Sequence, residues 1–256
     1  MVTPHERVKR VRVARQMQET ALMGGRVRLV QPTDGYRAGM DAALLAAAVA
    51  AKPGEAVMEA GCGAGAVLCQ TGVRRPGVCL LGVERDPDMA ALASGNLELN
   101  ALDGEVLTAD VADGFAALDR SRADWAVSNP PFFDDPGALR APGPGKRAAW
   151  MADDGLAAWT DFLLAGVRDG GTIVMIHRAD RLADLLALLG RKAGSFRILP
   201  IHPYTDRPAK RVLVQAVRLG KAPLVLLPPL VLHEAGTKHT PHADAVLRGE
   251  AALDLG

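Results

Sequence analysis

Aromatic residues are scarce: three Trp, two Tyr and five Phe make up 4% of the 256 residues. The core must therefore be aliphatic, built mainly from Ala, Leu and Val, and each aromatic side chain merits individual inspection. Cysteine is scarcer still. Cys62, Cys69 and Cys79 form an odd set without Cys-x-x-Cys spacing, which speaks against a disulfide framework or a zinc ribbon and for a reducing compartment. The longest apolar runs, near residues 42–51 and 224–232, fall short of the ~20 residues that span a bilayer. No apolar signal-peptide stretch stands at the N-terminal end, so the expectation is a soluble, cytoplasmic protein without a membrane partner.

An excess of charge is missing too, with 30 Lys and Arg against 29 Asp and Glu. The distribution is less even. Arg7, Lys9, Arg10, Arg12, Arg15, Arg26 and Arg28 crowd the first segment, opposed there only by Glu6 and Glu19. Such an arm is either a nucleic-acid footprint or a solvated terminal helix, and charge alone does not choose between them.

Hydrophobic patterning predicts a charged helix over 5–20, then a short strand at 27–30, a turn at Asp34-Gly35 and a return at 36–37. Asp41 is a suitable N-cap for the Ala/Leu-rich helix that follows. Strands and helices then alternate. Strands are predicted at 56–59, 78–84, 105–110, 125–128 and 172–177, and helices open near Gly65, Pro87, Trp159 and Arg181. Apolar runs at 196–201 and 212–217 follow with no helix between them, which predicts an antiparallel last strand in a mostly parallel sheet with helices on both faces. The expected organisation is a basic extension (1–21), one α/β domain (22–222) and a tail (223–256) packed on it, with Thr240-Pro241 opening a final helix.

The strongest local signal is Glu59-Ala60-Gly61-Cys62-Gly63-Ala64-Gly65, where a strand ends in an acid and three glycines alternate with small residues before a helix. Such a turn lets a ligand lie against the backbone of Gly61, Cys62, Gly63 and Gly65. The spacing differs from the G-x-G-x-x-G of pyrophosphate-binding Rossmann sites, which argues against a nicotinamide oxidoreductase. An acid two residues before the first glycine suits a cationic ligand, such as the amino-acid end of S-adenosylmethionine. Glu84 ends the next strand, 19 residues past Gly65, where a carboxylate can accept from both ribose hydroxyls. Asp110, ending the third strand, suits an adenine amino group. The bland alternative is that these acids only cap helices and the glycines only turn the chain.

Asn129-Pro130-Pro131-Phe132 follows the fourth strand in the same carboxyl-end crevice. Two prolines remove two backbone donors and hold the chain extended, leaving the Asn129 amide and the Pro130 carbonyl as fixed acceptors. An aromatic exocyclic amine is a poor nucleophile because its lone pair is delocalised. Acceptors on its two N–H bonds favour a pyramidal nitrogen and free that pair for attack on a cofactor methyl. Asn129 then borders both cofactor and substrate, while Phe132 offers a flat face against which a base can stack. Otherwise the tetrad is a plain loop and Phe132 a core residue.

Taken together these residues resemble the class I amino-group methyltransferases with an N-P-P-[YF] motif, and more narrowly the bacterial tRNA1(Val) adenine-N6-methyltransferase group. The resemblance runs from about Leu22 onward and includes 31–41, Gln-Pro-Thr-Asp-Gly-Tyr-Arg-Ala-Gly-Met-Asp. It implies a Rossmann-like class I methyltransferase fold with a seven-stranded sheet, S-adenosylmethionine as cofactor, and tRNA as partner. It also implies cofactor contacts at Tyr36, Arg37, Gly39 and Asp41, although Asp41 reads equally as a helix cap. The motif selects amino methylation and leaves the substrate open, since related enzymes modify guanine N2 or the glutamine of release factors. The glutamine enzymes carry an N-terminal helical domain, for which about 55 residues ahead of the glycine loop are too few. An RNA-binding protein that merely retains the fold is the non-enzyme alternative.

Lys146 and Arg147 follow a Pro/Gly-rich loop at 136–145, and Arg207, Lys210 and Arg211 lie in or beside the loop between the last two strands. Both groups read as phosphate contacts or as ordinary solvated charges. His239 and His242 have His-x-x-His spacing, but Pro241 between them denies a shared helical face, so no metal is expected. His177 and Arg178 follow the fifth strand without an assignable chemistry.

Overall fold

The computed structural model describes residues 16–33, 39–131 and 154–256. The first described element is a strand where a helix was expected. β1 (Met17–Leu22) alternates exposed and half-buried side chains and pairs antiparallel with β2 (Val27–Pro32), Leu22 opposite Val27. This corrects the helix predicted over 5–20 at its C-terminal end: the MQETAL alternation has period two, and pairing it with β2 helps to cover Val27 and Leu29, both fully buried. The rest of that prediction, the basic arm before residue 16 and the return strand at 36–37 lie outside the described residues.

The chain continues through α1 (Met40–Ala47), β3 (Ala56–Ala60), α2 (Ala66–Arg74), β4 (Cys79–Glu84), α3 (Pro87–Leu99), β5 (Gly104–Thr108) and β6 (Ala123–Ser128). Then come α4 (Asp154–Gly166), β7 (Val167–Arg178), α5 (Leu182–Leu189), β8 (Ala193–His202), β9 (Arg211–Arg218), β10 (Val225–Leu226), β11 (Leu230–Val231) and α6 (Pro241–Leu247). The main sheet has the order β10-β8-β9-β7-β6-β3-β4-β5, with β11 also on β8. β9 runs antiparallel to β7 and β8, and the other pairings are parallel. Seven strands were expected and nine are present among the described residues. The two additions come from the apolar run at 224–232, which Pro228-Pro229 divides into short halves that each add two residues along β8.

The strand order reverses at β3, with β4 and β5 on one side and β6 and β7 on the other. Such switch points open a crevice at the carboxyl ends of the strands. Helices cover both faces. Residues of α1, α2, α3 and α6 enter one core, whose buried set is aliphatic apart from Met23, Cys62 and Cys69. Residues of α4 and α5 enter the other, where Phe115 and Phe162 meet edge to face with ring centres 5.8 Å apart. Thr240 accepts from the Ala243 N–H and Pro241 begins α6, as the helix-start pattern predicts.

A pair of asparagines joins the hairpin to this frame. Asn96 of α3 accepts from the Val30 N–H (2.8 Å) and donates to the Val30 carbonyl (2.8 Å), and it also donates to the Ala64 carbonyl (2.9 Å). One turn later, Asn100 accepts from the Arg28 N–H and donates to the Arg28 carbonyl. Each amide thus behaves as a backbone unit of an additional strand. Asn96 is 1% exposed, and with three good partners its burial costs little.

Candidate active site

The pairing register brings the predicted residues into one row. Ala60 of β3 pairs with Val83 of β4 on one side and with Ser128 of β6 on the other. One step beyond each stand Gly61, Glu84 and Asn129, on adjacent strand ends roughly 5 Å apart. The Ser128 hydroxyl donates to the Ala60 carbonyl (3.0 Å) and locks the tip of β6 to the start of the glycine turn.

Within the turn, the Gly61 and Cys62 N–H groups both donate to the Val83 carbonyl, at 2.7 and 3.1 Å, and the Gly65 N–H donates to the Cys62 carbonyl at 2.8 Å. These donors close the turn, so a ligand would meet glycine surfaces more than open N–H groups. Gly61 adopts φ +70°, and its missing side chain has a second use: a β-carbon there would collide with the Trp159 indole. Trp159, half-buried on α4, therefore packs directly on the turn. The sequence marked it as one of few aromatics and as the start of a helix, with no sign of this contact.

Glu59 is 2% exposed and accepts from the Leu68 N–H in the first turn of α2, while its Oε2 has no partner. Burial pushes its carboxyl well above the usual range, and the charge of Glu84 adds to the shift. Glu84 is half-buried; its Oε2 accepts from Gly63 (3.0 Å) and its Oε1 from Asp86 (2.9 Å), which ties the glycine turn to the start of α3. Each oxygen retains a second lone pair for a hydroxyl. Asp110 accepts from the Ala112 N–H (3.0 Å) and so caps the short turn at 111–113. Burial, reinforced by Glu59 and Glu84, pushes the Cys62 thiol well up, so it stays protonated and unreactive.

One role is corrected. Asp41 is not the cap of α1, which starts a residue earlier behind Gly39. The Asp41 carboxylate instead takes the Arg211 guanidinium at 3.0 Å, fastening the first turn of α1 to the start of β9. Asn129 is half-buried, Pro130 buried and Pro131 exposed. Arg207 is exposed on the β8–β9 loop, at this same edge of the sheet. Tyr36, Arg37, Phe132, Lys146 and Arg147 lie outside the described residues. Among the described residues no cluster of His, Cys, Asp or Glu is arranged to hold a metal ion, and no helix is long and apolar enough to cross a membrane.

His177 at the end of β7 is 3% exposed, and burial, with help from the Arg181 charge, pulls its pKa down to about 4. The folded protein keeps it neutral where the unfolded chain protonates it near the ordinary value of 6.5. Between these two values the unfolded state binds the extra proton, so stability falls as pH drops from about 6.5 to 4, by about 3 kcal/mol in all. Thermal melts of His177→Gln across this range should show a shallower decline than the unvaried chain. Equal slopes would remove His177 from the acid response.

The arrangement fits S-adenosylmethionine: a buried acid with an open oxygen suits a cation, a strand-tip carboxylate suits vicinal hydroxyls, and Gly63, with open space where a β-carbon would stand, allows close approach. Comparison with known proteins agrees. Residues 37–140 match the family model of the methyltransferase small domain. No curated protein matches the chain. An Agrobacterium tumefaciens protein described as a predicted O-methyltransferase superposes with TM-score 0.69 at 29% identity, covering 84% of this chain and 98% of its own. A T. thermophilus 16S rRNA N2 G1207 methyltransferase, solved with AdoMet and guanosine, gives 0.54 at 22% identity over 79% of this chain and 50% of its own. P. horikoshii TYW2, solved with MeSAdo, gives 0.54 at 14% identity over 81% and 73%. Fold and family match together show a class I S-adenosylmethionine-dependent methyltransferase fold in which residues 37–140 are similar to the methyltransferase small domain.

Proposed function

We propose that this protein transfers a methyl group from S-adenosylmethionine to an exocyclic amino group, with adenine N6 of a tRNA as the substrate atom. The observation that carries this reading is the row Glu84, Gly61, Asn129, which sets an Asn-Pro-Pro turn directly beside the glycine turn.

S-adenosylmethionine, when bound, supplies the electrophilic methyl. Glu59 faces its cationic end, Glu84 accepts from its ribose hydroxyls, and Asp110 accepts from its adenine amine. Gly61, Cys62, Gly63 and Gly65 shape the turn against which it lies, and Gly63 gives it the open face. Tyr36, Arg37, Gly39 and Asp41 are assigned to the same pocket by resemblance. Asn129 Oδ1 and the Pro130 carbonyl accept from the two N–H bonds of the target amine, so its lone pair is withdrawn from the ring and becomes nucleophilic. Pro131 keeps these acceptors extended. Phe132 stacks on the target base, and Lys146, Arg147 and Arg207 neutralise phosphates. The amine loses its proton to solvent only after methylation has made it acidic.

Two other products are kept in view by named proteins. The Agrobacterium tumefaciens protein points to an oxygen acceptor and the T. thermophilus enzyme to guanine N2. The test is direct: incubate total tRNA with the protein and isotopically labelled cofactor, digest it, and identify the labelled nucleoside by mass spectrometry. N6-methyladenosine is expected. N2-methylguanosine or a ribose methyl would reassign the atom, and label in a release factor alone would reassign the substrate.

A further inference from the structure

The β8–β9 turn carries Tyr204, which at 46% is the one exposed aromatic side chain among the described residues. In a chain so poor in aromatics, an exposed ring is a departure that burial does not explain. It does not stand alone. The Tyr204 ring lies 5.4 Å from that of His233, which stacks on His239 at 5.3 Å with the planes 27° apart.

The backbone beneath these rings is tightly held. His202 Nδ1–H donates to the Arg207 carbonyl (2.7 Å), and His233 Nδ1–H donates to the Lys238 carbonyl (2.5 Å). The Leu232 and His233 N–H groups donate to the His202 and Pro203 carbonyls, each at 2.9 Å, so the segment after β11 runs alongside the turn. Lys210 closes the turn onto Ile201 at 3.0 Å. Arg207, Lys210 and Lys238 are exposed around the rings. Two exposed acids, Asp206 and Glu234, share the region, and Asp206 meets Arg207 only at 3.7 Å. The balance of the rim is cationic.

Topology sets this surface relative to the site. β8 is parallel to β6 and three strands away, so Tyr204 stands at the same sheet edge as Asn129, roughly 14 Å along it. We propose that Tyr204, His233 and His239, rimmed by Arg207, Lys210 and Lys238, form a docking platform for single-stranded RNA beside the target base. Fixed aromatic faces accept splayed bases whatever their sequence, and the surrounding cations take the phosphates. The inference rests on the RNA-methylation reading and extends it to how the strand is held outside the pocket.

The test uses the full chain with a labelled single-stranded RNA and with tRNA. Fluorescence anisotropy should show Tyr204→Ala binding RNA roughly 5- to 100-fold more weakly, with Tyr204→Phe close to the unvaried protein. Arg207→Ala with Lys210→Ala should flatten the dependence of log K on log salt by about 0.7 for each phosphate that is no longer neutralised. Cofactor affinity by calorimetry and the melting temperature should stay unchanged, which separates weakened docking from a damaged fold. RNA affinity unaltered in Tyr204→Ala, or no RNA binding by the unvaried chain, overturns the platform. If the variants weaken RNA binding but the unvaried chain methylates no RNA, the platform stands and the proposed activity fails. If tRNA is methylated with the same KM by Tyr204→Ala, the activity stands and the platform fails. A methylated protein substrate whose KM rises in Tyr204→Ala would assign the surface to protein and overturn the RNA reading.

Discussion

Asn129→Ala is expected to lower kcat for methyl transfer at least about a hundredfold, while the cofactor Kd changes by less than about threefold. The residue stands just past the end of β6, one step beyond the Ser128–Ala60 pair and directly before Pro130-Pro131. In the proposed mechanism, removing it takes away one of the two acceptors on the target amine, an interaction that matters chiefly as charge develops on the nitrogen. The Pro130 carbonyl survives the substitution and accounts for residual turnover. Asn129→Asp is informative in the other direction, since it restores an acceptor and should recover part of the rate. Single-turnover kinetics and calorimetric titration with the cofactor measure the two quantities separately. Equal loss of rate and cofactor affinity in a folded variant would make Asn129 a cofactor anchor and remove the catalytic role.

Glu59→Gln should have effects of opposite sign on stability and on binding. The carboxyl is buried at the heart of the sheet, with one oxygen unpartnered, and its pKa is raised by that burial. Above the unfolded value of 4.5 the folded state holds the proton more tightly than the unfolded chain does, so this group's contribution to stability falls as pH rises through that window. A neutral amide of the same shape escapes that cost. The cofactor-free variant is expected to melt higher at neutral pH, by about 2–4 °C for each kcal/mol relieved. Cofactor affinity should fall roughly ten- to a hundredfold, as expected when a charge-assisted hydrogen bond is removed. Scanning calorimetry with and without cofactor reads both. A variant with an unchanged melting temperature and unchanged affinity would show Glu59 to be only a cap for the start of α2.

Much of this was legible before any coordinates. The strand before Glu59 is short, apolar and followed by glycines, so its type and its end are both marked locally. The same holds for Glu84 and for the Asn-Pro-Pro turn, because proline and glycine punctuate the chain wherever they stand. What stayed hidden depends on distant partners. Met17–Leu22 is six residues of mixed polarity, and only β2 makes it a strand. Asp41 has the chemistry of a cap, but Arg211, 170 residues later, decides its partner. The packing of Trp159 on Gly61 and the meeting of the Tyr204 and His233 rings likewise join residues that no local pattern relates. β10 and β11 exist because β8 offers an edge, and nothing in so short a stretch announces that.

The asparagine pair on α3 has a mechanical corollary. Four residues of helix advance about 6 Å and two residues of strand about 6.8 Å, so the two repeats stay in step for one interval and then drift apart. Asn96 and Asn100 occupy that single interval, gripping Val30 and Arg28 like two rivets through one plate. A plate fastened twice cannot pivot. Because Asn96 also holds the Ala64 carbonyl, any displacement of the glycine turn is transmitted to the hairpin.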